Sequence, residues 1–480
     1  MVHHEWISKE FDDICLGDKR LNKRLKTVAT QFFLNAESTI PSACEGWSGA
    51  KACYRFFKNP KVNARKILET HRQKSLQRIG ETETVLIVQD TTFIDYSTHY
   101  QTKGLGGISK DSKGLIMHSS LALSEDGIPV GFLGQKIFAR PFVEGLKKRN
   151  RHATPIQDKE SYRWLESFHD SIEGFSNTQR LVTITDREGD MYELMLEIDK
   201  KDSNFLIRIR QDRAINQRFK RSPVQQRMWN YMSQQTPVGY FKTEIQYVNK
   251  HVNRWREVEL SVKIGSFTIQ APQQSRNRVL NAPRPIKVYA IYVQEINPQK
   301  GENPIEWMLL TNLSTIDFET ALVRIRWYKY RWLIELFHKI LKSGYQVESC
   351  RLSEAERLIR YLTVMSIISF RILSITYLQK YQDSVKADVI FTPDELVILS
   401  LWSNRLGKNI SSPLSLVTAV KILAQKGGFF NRKSDETPGF ITIWRGLRKL
   451  AECIDSCHMI IENLPIARVT AENFLSCGYF

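Results

Sequence analysis

Apolar positions in the first 75 residues recur at helical spacing. In "LGDKRLNKRLKTVATQFF", Leu21, Leu25, Val28 and Phe32 share one face, and Lys19, Arg20, Lys23 and Arg24 lie largely off it. "GAKACYRFFKNPKV" repeats the pattern and stops at Asn59 and Pro60. From about residue 76 the period changes. "TVLIVQDTT" is an unbroken apolar run that predicts a strand buried on both faces and ending at Asp90. "GLIMHSSLALSEDGIPVGFLGQKIFA" predicts a hairpin turning at Asp126 and Gly127, and "SYRWLESFHDSIEGF" a helix. "RLVTITDREGD" predicts a second buried strand, ending at Asp186. Alternating segments from "FLIRIRQDR" to "IEWMLLTN", about 205 to 315, predict an antiparallel sheet. The remainder from about 350 reads as helical, with a capping box from Thr392 to Glu395 and breaks at Gly427, Gly428, Pro438 and Gly439.

Between the sheet and that tail lies "YKYRWLIELFHKILK", residues 328 to 342. At about 100° per residue, Tyr328, Arg331, Glu335, His338, Lys339 and Lys342 fall on one side of a helix. Leu333, Leu336, Phe337, Ile340 and Leu341 fall on the other. One acid thus sits among several bases. The wheel leaves two readings open: an intrahelical ladder from Arg331 through Glu335 to Lys339, or a catalytic glutamate.

Charge narrows the class of partner. The 480 residues carry 69 Lys and Arg against 51 Asp and Glu, a net charge of +18. Residues 201–300 hold 18 basic and 6 acidic side chains, and residues 1–75 hold 14 and 8. An excess of this size favours a polyanion, nucleic acid first, because neutralising phosphates releases counterions. Seven cysteines without ligand spacing fit a reduced intracellular chain. Cys453, Cys457 and His458 lack a second pair to complete a metal site. The opening "MVHHEWISKEFDD" has no signal-peptide apolar core. "YLTVMSIISFRILSITYL" carries Arg371 in its middle, which favours a buried helix over a membrane span. A cytoplasmic protein with no membrane partner is expected.

Phosphoryl transfer on DNA needs no protein nucleophile, only divalent ions that activate the attacking oxygen and stabilise the leaving one. Carboxylates hold hard magnesium ions, and three suffice for two ions if one bridges. Asp90, Asp186 and Glu335 meet this need if the two strands are neighbours and the helix packs across their ends. Taken singly, an aspartate at a strand end is more often a turn or cap residue.

"QDTT" at 89 to 92, "TDREGDMYE" at 185 to 193 and "YKYRWLIELFHKILKSG" at 328 to 344 resemble the acidic motifs of the insertion-sequence-four family of bacterial cut-and-paste DDE transposases. "LGDKRLNKRL", "YRFFKNP", "FLIR" and "EINPQKGENPIEWMLLT" have counterparts in that family in the same order. The resemblance covers most of the chain and thins after about 385. It implies an α/β fold: an RNase H-like catalytic core with an inserted antiparallel β-sheet, flanked by helical N-terminal and C-terminal domains. The corresponding limits are 1–75 for DNA binding, 76–380 for catalysis with the insertion at about 205–315, and 381–480 for dimerisation.

The resemblance further implies that Asp90, Asp186 and Glu335 hold two Mg2+ ions, with Mn2+ able to substitute. Tyr328, Arg331, Lys339 and Lys342 would contact DNA phosphates, as would Arg208. Trp307 would receive a flipped base, and His338 would lie near the phosphate or metal. The implied partners are double-stranded DNA, both inverted-repeat ends and target, and a second copy of the chain in the synaptic complex. Where relatives carry paired tryptophans, this chain has Leu115 and Ile116 before Met117 and His118. Either Ile116 acts as an apolar wedge or base flipping is less efficient here. A structure-selective nuclease on the same fold needs the same acids, and a DNA-binding inhibitor would need none of them.

Overall fold

The computed structural model describes residues 4–35, 39–44, 46–140, 155–176, 178–215, 226–249, 252–272, 284–299, 302–379, 386–405, 414–432, 435 and 437–462. Cys477 lies outside them. The chain divides into two compact units. One comprises Met1–Lys74, Ile94–Leu115 and Leu336–Phe480; the other comprises Ser75–Phe93 and Ile116–Glu335.

The strands are β1 (Thr84–Asp95), β2 (Gly106–Gly107), β3 (Lys113–Ser124), β4 (Pro129–Phe138), β5 (Arg180–Thr185), β6 (Asn204–Arg208), β7 (Gly239–Asn249), β8 (Val252–Ile269), β9 (Ile286–Glu295) and β10 (Glu306–Thr311). They follow the order β2-β3-β1-β5-β6-β10-β9-β8-β7, with β4 on β3. β1, β5 and β6 run parallel, while β3 and β4 form an antiparallel hairpin. A parallel centre with a hairpin on one flank is the RNase H-like arrangement. β10, β9, β8 and β7 extend this sheet with antiparallel pairs from β6 outward. "FLIR", expected to open the antiparallel insertion, is instead the third parallel strand of the core. Its buried Phe205 and Ile207 share a core with Trp164, Phe168, Leu194, Met195 and Ile198 from the helices Arg163–Ile172 and Tyr192–Lys200.

Two further expectations are corrected. β1 does not end at Asp90 but continues through Thr91 and Thr92 to Asp95, so Asp90 sits within a strand. β-branched threonine suits a pleated, half-buried surface, and the strand therefore outlasts the apolar run. The single helix expected over 328–342 is also broken. A helix Phe318–Lys329 ends, Tyr330 and Arg331 form a turn, a second helix spans Trp332–Lys339, and Ile340–Gly344 form a π-turn. π-turns concentrate at functional sites because they re-aim the side chains around them.

In the other unit, the helices Lys19–Leu34, Gly46–Lys58 and Ala355–Leu378 meet around aromatic rings. Phe32 lies 5.4 Å from Tyr361 edge-on, and Phe57 5.9 Å from Tyr361. Asp18 caps the first helix by accepting from Arg20 N–H at 2.9 Å. Ala355–Leu378 is long and apolar enough to cross a membrane, but 89% of its most apolar window is buried inside the protein. Arg371 is paired there with Glu395 at 3.1 Å, so the helix is a core helix, as its central charge suggested. Leu416–Lys426 and Phe440–Glu462 approach so closely that a Cβ on Gly446 would stand 2.1 Å from the Leu423 carbonyl oxygen. The capping box forms on Pro393–Arg405, with Glu395 accepting from Thr392 N–H at 2.7 Å.

Candidate active site

Strand register brings the two aspartates together. The β1–β5 ladder pairs Thr84 with Arg180 and closes with Val88 opposite Ile184. Continued two residues, the same spacing sets Asp90 opposite Asp186, just past the carboxyl end of the stretch over which the two parallel strands pair, the side on which α/β sheets bind their ligands. β5 and β6 pair Ile184 with Leu206, and β6 and β10 pair Arg208 with Leu309. Side chains alternate across a sheet, so Asp90, Asp186, Arg208 and Trp307 share one face, opposite the core of Phe205, Ile207 and Met308.

Asp186 takes up the end of β5 through the turn behind it. Its carboxylate accepts the Glu188 N–H at 2.8 Å. Gly189 is required next, because a Cβ there would stand 2.3 Å from Thr185 Oγ1. Asp90 is 14% exposed. Burial pushes its carboxyl up to about 7; Arg331 opposes this and the like charges of Asp186 and Glu335 add to it.

The signature segment supplies the third acid and its cation. Arg331, at the turn between the two helices, pairs with Glu335 four residues on and reaches within 3.9 Å of Asp90. The Arg331–Glu335 half of the ladder therefore exists. The Arg331 guanidinium also lies 5.9 Å from the Tyr328 ring centre, and Trp307 packs edge-on to Tyr328 at 5.9 Å. Tyr328 is buried, not on an exposed stripe, and burial raises its hydroxyl pKa against the pull of Arg331 and Arg208. Arg208 donates to the Glu306 carbonyl at 3.1 Å. Thus Asp90, Asp186, Glu335, Arg331, Tyr328, Trp307 and Arg208 fall within one unit.

His338, Lys339 and Lys342 belong to the other unit. His338 is buried beside Phe337, Lys339 is exposed, and Lys342 stands 4.0 Å from Glu348. Leu115, Ile116 and Met117 are fully buried, so Ile116 offers no wedge to solvent. Strand β3 places them inside the sheet's packing, which apolar residues of this size favour. Sequence reasoning missed four neighbours of the acids: Thr91, His118, Arg163 and Glu188. His118 Nδ1 and Arg163 Nε both meet the Thr91 hydroxyl, at 2.9 and 3.2 Å. Thr91 and Glu188 had a signal, the one directly after Asp90 within "QDTT" and the other two residues past Asp186 within "TDREGD".

Among the described residues no three His, Cys, Asp or Glu side chains stand close enough to clasp one metal ion as they are. The donor set nevertheless fits a hard divalent cation. Asp90, Asp186 and Glu335 offer only carboxylate oxygens, the ligands magnesium and manganese prefer. Burial and the neighbouring acids hold the Asp90 carboxyl up against the pull of Arg331, a penalty that a bound divalent cation would relieve. Glu335, 55% exposed, is free to swing by rotamer change.

Family comparison adds a separate line of evidence. Residues 3–62 match the family model described as transposase DNA-binding, 163–370 the transposase DDE domain, and 367–461 the transposase Tn5 dimerisation domain. The chain belongs to the Tn5-like DDE transposases. The DDE-domain match in this transposase includes Asp186 and Glu335 but begins after Asp90, whose place rests on the strand register. Among solved structures, a piggyBac transposase synaptic complex with hairpin DNA is similar at a TM-score of 0.30 and 8% identity. That match covers 82% of this chain, and the chain spans 61% of that one.

Proposed function

We propose that this transposase performs cut-and-paste transposition of an insertion sequence in the bacterial cytoplasm. It would bind inverted-repeat ends through its N-terminal helices, pair them as a homodimer through its C-terminal helices, and process both ends at one site. The observation that carries this reading is the row of Asp90 and Asp186 just beyond the paired stretch of β1 and β5, with Glu335 and Arg331 at the signature turn.

Asp90, Asp186 and Glu335 would hold two Mg2+ ions, with Mn2+ as a substitute. Bound there, the ions would lower the pKa of the attacking water or 3′-hydroxyl and offset charge on the phosphate. The chain's own groups do the rest. Arg331 exchanges its carboxylate partners for the DNA phosphate, making charge-assisted bonds that hold the scissile group in line. Tyr328 supports the guanidinium from beneath. Lys339, Lys342 and Arg208 extend phosphate contact along the DNA, and His338 orders the helix that carries them. Trp307, half-exposed on the acid-bearing face, stacks a base flipped out when the strand end bends into a hairpin. Four reactions would share the site: nicking, hairpin formation, hairpin opening and joining to target DNA.

The test incubates the full chain with the inverted repeats flanking its own gene and Mg2+. Hairpin-ended donor fragments and joined products are expected. Asp186→Asn should reduce nicking by roughly a thousandfold or more while retaining end binding, since the ligand loss removes the charge stabilisation of the reaction. Nicking by Asp186→Asn at the wild-type rate would refute the assignment of the acids. Cleavage without joining of pre-cut ends would reduce the activity to that of a nuclease. Clean double-strand breaks without hairpins would remove the role given to Trp307.

A further inference from the structure

The backbone ladder between β1 and β5 ends at Val88 and Ile184, two residues short of the acids. Something else must fix the spacing of Asp90 and Asp186. Strand alternation turns Asp90 to one face of the sheet and Thr91 to the other. On that other face the helix Arg163–Ile172 begins, and Arg163 is 9% exposed at its first turn. Its guanidinium reaches residues beside both acids. Nε donates to Thr91 Oγ1 at 3.2 Å, and Nη2 donates to Glu188 Oε2 at 3.3 Å. Nη1 is anchored by the Glu160 carbonyl at 3.1 Å and the Glu160 carboxylate at 3.4 Å, and Glu160 is itself held by Arg140 Nε at 2.6 Å.

Each far end of this clasp adjoins an acid. Thr91 follows Asp90 in β1, and its hydroxyl is further fixed by His118 at 2.9 Å. Glu188 is tied to Asp186 through its own N–H at 2.8 Å. The planar guanidinium fork serves three directions at once, which a lysine ammonium on a flexible stem does not reproduce.

We propose that Arg163 is a positioning residue that sets the separation of Asp90 and Asp186, acting through Thr91 and Glu188 from the face of the sheet opposite the reaction. The inference rests on the reading of those aspartates as metal ligands. Arg163 itself touches neither metal nor DNA. Groups that orient metal ligands from behind typically change metal affinity by about 10–100-fold when removed.

The experiment measures bound Mn2+ by electron paramagnetic resonance on the full chain, with and without a duplex of its own end sequence, alongside the Mg2+ dependence of nicking. For Arg163→Met, Mn2+ binding about 10-fold weaker or more is expected. Half-saturation of nicking should move to correspondingly higher Mg2+, with much of the rate regained at saturation. Arg163→Lys should stay impaired. Glu188→Gln removes one arm at a half-exposed position and should weaken binding several-fold even if Arg163→Met fails to fold. Added to Arg163→Met, it should weaken binding no further. Wild-type Mn2+ affinity in a folded Arg163→Met, or in Glu188→Gln, overturns the proposal. A nicking rate lowered equally at all Mg2+ concentrations overturns it too. Asp186→Asn distinguishes the underlying reading: if it binds Mn2+ as well as wild type does, or if wild type shows no such site in either state, the aspartates are not the ligands.

Discussion

Two buried charge clusters show opposite designs. Around Arg371, base and acid are paired. Its guanidinium donates to the Ile390 carbonyl at 2.6 Å and to Glu395 at 3.1 Å, and lies 5.4 Å from the Trp6 ring. Glu395 in turn accepts the Thr392 N–H at 2.7 Å and stands 3.5 Å from His4. Around Asp90, burial lifts the carboxyl to about 7, with the like charges of Asp186 and Glu335 adding to the rise and Arg331 opposing it. The first cluster pairs its acid with its base. The second holds a carboxyl far from its ordinary pKa, a perturbation that clusters at functional sites.

The largest expected effect breaks the paired cluster. Glu395→Ala leaves Arg371 charged, 5% exposed and without its carboxylate, and truncating one partner of a buried pair costs about 3–5 kcal/mol. Thermal unfolding of the variant should show a markedly lower midpoint at every pH between 6 and 9. A midpoint within a degree of wild type would show that the pair contributes little and that the contrast drawn above is false.

The opposite sign is expected at the acid row. The Asp90 pKa is raised from its unfolded value near 4 to about 7, so the folded state binds the proton more tightly. Stability attributable to this group is full below about pH 4 and is lost as pH rises towards 7. Asp90→Asn escapes that loss. It should be inactive in nicking, yet more stable than wild type at pH 8 by on the order of 3 kcal/mol, the two converging near pH 4. Added Mg2+ should raise the wild-type midpoint more than that of the variant. Equal stability of both proteins across this range would show that Asp90 is already neutralised.

Much of this arrangement was legible in the chain. Apolar runs marked β1 and β5, and the acid next to each run fell just past the stretch where the two parallel strands pair. Arg371 within an apolar helix announced a buried partner. The signature turn was not legible, because a helical wheel scores side chains and the break is made elsewhere. Tyr330 packs against the β3–β4 turn, where a Cβ on Gly127 would stand 2.7 Å from its ring, a contact spanning some two hundred residues. Arg163 was equally hidden. A single arginine in "SYRW" has no periodicity to betray it, and its partners Thr91 and Glu188 become neighbours only when the sheet assembles. Asp90 looked like a strand end because threonine interrupts the apolar run without interrupting the strand.

The smallest effect sharpens the contrast from inside the paired cluster. Thr392 contributes twice to it: its N–H donates to Glu395 at 2.7 Å, and its hydroxyl accepts from Glu395 N–H at 3.4 Å. Thr392→Ala removes the second bond, the weaker by distance, together with the hydroxyl's bond to Glu5, and leaves the backbone donor that holds the glutamate in place. The loss of an N-cap side chain costs about 1 kcal/mol, so the midpoint should fall by much less than in Glu395→Ala. Thr392→Ser should restore it, since the hydroxyl returns. If Thr392→Ala proved as damaging as Glu395→Ala, the cap rather than the ion pair would be what the helix depends on. The paired charges around Arg371 would then be a consequence of the packing and not its cause.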